Sequence, residues 1–224
     1  MPYTGQREPG SDASEINAHT FLIKQILATV AGSALVRVVS CTNAGGVSAV
    51  GNVDVQPLVN QVDGSGNATP HGTVHGLPYA RVQGGADAVI LDPKAGDIGI
   101  AVFCDRDISS VKATGGQANP GSRRQNDMSD GVYLFTCMGA TPTQYVVFSS
   151  DGISVVSQTK ITLQAPQINL KGQVTQAAVG GGSGAVTLQG PVTVTNDLTA
   201  SGTSVHTHVH GGIATGTHNT GAPV

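Results

Sequence analysis

Charge is scarce in this chain. Only 11% of its 224 residues are Asp, Glu, Lys or Arg, against about a quarter in an average soluble protein. Aromatics make up 4% and Trp is absent, which excludes a large aromatic core inside a salted surface. The net charge of −3 and the scattered basic residues, with Arg123-Arg124 the one adjacent pair, leave no basic stripe for nucleic acid. Cysteine is limited to Cys41, Cys104 and Cys137 at irregular spacing. That odd set predicts neither a disulfide framework nor a zinc knuckle, but small core thiols made in a reducing compartment. No run of 18 apolar residues occurs, so no transmembrane helix is expected. The stretch from Phe21 to Ala34 partly mimics a secretory apolar region, but Lys24 and Gln25 interrupt it and Glu8, Asp12 and Glu15 precede it. A signal peptide is therefore not expected.

What the chain has in quantity is glycine, 31 residues, and small polar residues between Val, Ile and Leu. This vocabulary predicts an all-β protein of short strands and tight turns. One helical signal precedes them. Asp12 with Glu15 three residues on reads as a capping box, and apolar residues at Ile16, Ile23, Ile26, Leu27 and Val30, with Thr20, share a face up to a stop at Gly32. The helix is expected to be an amphipathic packing element. Runs 34–41, 49–59, 77–82, 88–91 and 98–104 then read as strands, with turns at Asn43-Ala-Gly-Gly, Asp63-Gly-Ser-Gly-Asn, Gly84-Gly85 and Pro93-Lys-Ala-Gly. Five short strands in such a span suit a small barrel of the oligonucleotide/oligosaccharide-binding (OB) type. A polar loop covers 112–131, and 131–137 resumes a buried strand.

Composition changes near residue 140. Beyond it the only charged residues are Asp151, Lys160, Lys171 and Asp197, and the last aromatic is Phe148. Segments 152–157, 160–165, 167–170, 173–178, 185–189, 191–195 and 197–200 alternate apolar with small polar residues, broken by the Gly-rich run 180–184. One copy of such strands has too few large side chains for a sheet of its own, whereas three copies wound about an axis bury a continuous seam. The expected organisation is an N-terminal segment with a helix (1–33), an OB-type collar (34–140), an intertwined trimeric β-helix or prism (141–204) and a metal-bound tip (205–224).

The tip carries the chemistry. Four of the seven histidines, His206, His208, His210 and His218, fall in the last 19 residues. In a strand, His206, His208 and His210 project to one side with Cα atoms about 6.5–7 Å apart. Two imidazoles per chain hold a metal weakly; repeated in a trimer they supply six nitrogens, a closed octahedral shell that is structural rather than catalytic. The bland alternative is a solvated His-rich tail. The carboxylates Asp92, Asp97, Asp105 and Asp107, with His71 and His75, read as turn and strand-end residues rather than an acid/base centre. Tyr79, Phe103, Tyr133 and Phe135 read as core. No G-x-S-x-G, H-E-x-x-H or P-loop occurs, and no catalytic site or small-molecule substrate is expected.

The ending HVHGGIATGTHNTGAPV resembles the tip of the central baseplate spike of contractile-tailed bacteriophages. Upstream, His75-Gly-Leu-Pro-Tyr-Ala-Arg-Val-Gln-Gly-Gly and the stretch from Pro93 to Ser109 resemble the OB domain of the same spikes. The resemblance covers about residues 34–224 and implies a homotrimer seated on tail hub or baseplate proteins, with one iron ion per trimer held by six histidines. It implies a virion protein, made in the host cytoplasm, that pierces the host outer membrane. The family's H-x-H before Gly-Gly falls on His208 and His210, while His206 leaves a 206/208 pairing open. The competing expectation is a trimeric receptor-binding tail fibre or adhesin.

Overall fold

The computed structural model describes residues 10–30, 32–63, 65–177 and 184–208. The chain divides into two compact units, Met1–Thr159 and Lys160–Val224. The first contains α1 (Glu15–Ala28), β1 (Ser33–Cys41), β2 (Asn52–Pro57), β3 (Gln61–Val62), β4 (Ala68–Thr69), β5 (Val74–Pro78), β6 (Val82–Gly84), β7 (Asp87–Val89) and β8 (Ile98–Phe103). It continues with α2 (Ser109–Thr114), β9 (Gly131–Met138), β10 (Tyr145–Ser149) and β11 (Gly152–Val156). The second holds β12 (Thr199–Ala200) and β13 (Thr203–Ser204). The described protein is thus mostly β with one long helix at its start. No described helix is long and apolar enough to cross a membrane.

The helix starts two residues later than the capping-box reading places it. Ser14 is the N-cap, its hydroxyl accepting from the Asn17 backbone N–H at 3.2 Å. That puts Glu15 in the first turn, where its charge faces the positive end of the helix dipole. No residue of α1 is buried.

Five strands form one antiparallel sheet in the order β5-β2-β1-β8-β9. Alternation decides its inner face. Val36 and Val38 of β1, Val53 and Val55 of β2, Leu77 of β5, Ala101 and Phe103 of β8 and Tyr133 of β9, with Tyr79, are the buried apolar core. Among the described residues, backbone pairing joins the two outer strands just beyond β5, at a single parallel bridge between Tyr79 and Tyr133, where the Ala80 N–H donates to the Tyr133 carbonyl at 2.7 Å. The sheet therefore curls without closing through a continuous ladder. Gly99 of β8 faces inward because Tyr133 passes over it; a Cβ there would strike the Tyr133 ring and the Phe135 carbonyl.

Phe135 is not core. Between the pairs Ala101–Tyr133 and Gly99–Thr136, β9 advances three residues for two on β8. This bulge turns Phe135 outward, 60% exposed. Two small hairpins, β3-β4 and β6-β7, are attached through the turns expected at 63–67 and 84–85.

β10 and β11 pair in register from Tyr145–Val156 to Ser149–Gly152. β10 escaped the sequence reading. In the second unit, the segments read as strands at 160–178 and 185–195 carry no strand pairing among their described residues. Their Ile161, Leu163, Ile168, Leu170, Val174, Val186, Leu188, Val192 and Val194 are all exposed. Extended backbone alone satisfies neither its own N–H and C=O groups nor these side chains. The β12-β13 hairpin forms because Ser201 (φ 49°) and Gly202 (φ 82°) both take the left-handed region that a two-residue hairpin turn needs.

Candidate functional site

The histidine segment begins directly after that hairpin. Val205 N–H donates to the Leu198 carbonyl at 2.8 Å, extending the pairing by one residue. Asp197 then accepts from the His206 backbone N–H at 3.2 Å. Hydrogen bonds from Ser204, His206, Leu198 and Thr199 hold the Asp197 carboxyl below the usual carboxylate range. His206 consequently sits in a turn rather than in the strand assumed from the i, i+2 pattern. His208 is exposed, and its ring Nδ1 lies 2.9 Å from the Val205 carbonyl. A carbonyl only accepts, so this is a hydrogen bond when Nδ1 carries the proton, which makes Nε2 the lone-pair nitrogen of the neutral ring. Metal-ligating imidazoles are commonly oriented this way, so the donor chemistry of His208 suits a cation. His210 and His218 lie outside the described residues. Among the described residues no three His, Cys, Asp or Glu side chains converge as a metal cluster.

The carboxylates of the first unit do something else. Asp92, 8% exposed, accepts from the Tyr79 hydroxyl at 2.6 Å, Arg81 at 2.7 Å and the Gly45 N–H at 3.0 Å. Its carboxyl is held low, first by the Tyr79 bond and then by Arg81 and Gly45 against the cost of burial. Arg81 also donates to the Ser48 carbonyl at 2.7 Å, and Asn43 donates to the Tyr79 hydroxyl at 2.9 Å and the Ala49 carbonyl at 2.7 Å. This network fastens the long connection between β1 and β2 to the core, so Asp92 is more than a turn residue.

A second network fastens the connection between β8 and β9. Arg124 makes two 2.8 Å bonds to Asp130 and lies 3.3 Å from Asp107. Asp107 accepts from the Ser122 hydroxyl at 2.6 Å and the Ser109 N–H at 2.9 Å. Bonds from Ser109 and Ser122, with Arg124 adding charge, push the Asp107 carboxyl strongly down. The Asp130 bonds raise Arg124. Asp97 caps the turn before β8 by accepting from the Lys94 N–H at 2.8 Å. His75 pairs with Asp54 at 3.1 Å on the surface. Asp105 serves as backbone, its carbonyl accepting from Asn126. His71 likewise serves as backbone, its carbonyl accepting from the Gln56 side-chain amide at 3.3 Å. The six groups are therefore distributed over separate structural contacts. Arg81, Arg124 and Asp130 escaped the sequence reading, because their partners are brought together by the fold and not by a short spacing.

Buried carboxylates thus tie the loops of the curled five-stranded sheet to its core. Residues 38–136 match the family described as phage protein Gp138 N-terminal domain, a little under half of the chain, running from within β1 to within β9. The match supports a phage protein of the baseplate or spike type, with a structural tail or baseplate role and a place in the virion. No curated protein matches the chain.

Proposed function

We propose that the protein is a non-enzymatic, homotrimeric spike at the tip of a contractile phage tail, which pierces the host outer membrane mechanically. The observation that carries this reading is the second unit. Its described Val, Ile and Leu side chains recur along segments without strand pairing and stay exposed in a single chain. Copies of the same segments wound together would bury them and complete the backbone hydrogen bonds. The first unit supports an OB-type collar: the strand order and the parallel Tyr79–Tyr133 bridge are what such a barrel requires. The collar would seat on the tail hub. The shaft, with four charged residues beyond 140, would enter a bilayer with little desolvation cost.

His208 and His210 would hold one metal per trimer, with His206 the alternative to one of them, and iron is the ion the family resemblance favours. A bound ion would tie three chain ends together and suppress fraying. Light scattering combined with elemental analysis tests the reading. The expected result is a trimer with about one metal per three chains, lost in His208→Ala/His210→Ala while the trimer persists. A monomer overturns the spike. A trimer without metal that instead binds a host-surface glycan favours the receptor-binding fibre.

A further inference from the structure

Helix α1 carries an apolar face that nothing described covers. Ile16, Leu22, Ile23, Ile26 and Leu27, with Val30 just past the C-cap Thr29, are each more than half exposed. Their spacing is not merely amphipathic. Positions 16, 19, 23, 26 and 30 step by three and four in turn, which is the a/d spacing of a coiled coil: Ile16, His19, Ile23, Ile26, Val30. The flanking positions are Glu15, Thr20, Leu22 and Leu27, so the seam is widened by leucines and carries a single charge. A face this broad, with Ile at both a and d, suits three strands better than two. We propose that α1 packs in parallel against the α1 helices of two further copies of this chain, forming a three-helix seam, with His19 as its one polar layer.

The inference rests on the trimeric reading above and adds an interface to it. Area decides its role. Six side chains of this exposure offer on the order of 500 Å² of apolar surface per chain, short of the roughly 800 Å² per partner in a typical stable interface. Two heptads are also below the length at which an isolated helix holds its shape. The seam therefore adds to an assembly held elsewhere and fixes the direction of the three N-terminal segments. His19 at a core layer sets register at some cost in stability.

Cross-linking of the full chain tests this. In a Cys137→Ser background, which removes the one exposed thiol among the described cysteines, Ile26→Cys is oxidised beside Gln25→Cys, which lies on the opposite side of the helix. The expected result is at least about fivefold more disulfide-linked dimer for Ile26→Cys, as the a/d geometry requires. Equal or absent linking in a protein that still scatters as a trimer overturns the helix seam and leaves the spike standing. Linking that appears only when Leu35→Cys is added places α1 on the outer face of the sheet and likewise overturns it. A monomer overturns both.

Discussion

A carboxylate with a side chain 3% exposed needs every lone pair answered, and Asp92 takes a phenol and a guanidinium from the segment 79–81 and a backbone amide from the β1-β2 connection. The sequence shows an Asp before a Pro and reads a turn; it cannot show that Tyr79, seemingly plain core, presents its hydroxyl at 2.6 Å. Asp92→Asn keeps the shape and removes the charge, turning an acceptor-only group into one with donors facing donors. The expected loss is about 2–3 kcal/mol in denaturant unfolding at pH 7. The acid profile gives the sign. Asp92 is lowered from 3.8 in the fold, so its stabilisation is complete above that value and disappears as pH falls through the lower folded value. Asp54, Asp107 and Asp127 are lowered as well, so the wild type loses stability steeply below about pH 4. The variant should lose it less steeply. Parallel acid slopes in the two proteins would show that Asp92 titrates normally.

At the scale of elements, the β10-β11 hairpin is not self-sufficient, since none of its residues is buried. Its register places Val146, Phe148, Ile153 and Val155 on one face, all exposed, with Phe148 at 75%. A lone two-stranded hairpin is at best marginally stable in water, so this face calls for cover, and in the proposed spike it is where the shaft begins. Phe148→Asp should lower the temperature at which the oligomer dissociates while leaving the unfolding of the collar core unchanged, read by scattering and near-ultraviolet circular dichroism on one sample. Unchanged dissociation would place the trimer contacts elsewhere. The collar strands were legible because one face packs on the core and the other meets water, which prints a period of two at Val36/Val38 and Val53/Val55. The same period runs through 160–195, whose described residues carry no strand pairing in one chain. Alternation reports a side chain's need for a partner, not whether that partner lies in the same molecule. Phe135 misled for a different reason: a bulge shifts facing by one residue and leaves no mark in composition.

For the whole molecule, these two kinds of segment imply two kinds of stability. The first unit has its own core, Val36, Val38, Val53, Val55, Leu77, Tyr79, Ala101, Phe103 and Tyr133, so this part is expected to fold without a second chain. The described Val, Ile and Leu side chains beyond residue 160 are exposed, and in the proposed trimer they gain burial by association. A protein whose native state is an oligomer has an unfolding temperature that rises with concentration, whereas an independent domain does not. A chain ending at Ala140 should therefore unfold cooperatively at a temperature independent of concentration, and Leu77→Ala should destabilise it by about 3 kcal/mol because Leu77 is fully buried. The full chain should show a second transition that moves upward as concentration is raised and downward on chelation, if the tip metal ties the three ends together. Calorimetry at concentrations spanning two orders of magnitude, with and without chelator, separates the outcomes. A concentration-independent second transition would mean that residues 160–224 find their partners within one chain, and the proposed trimer would have no physical basis.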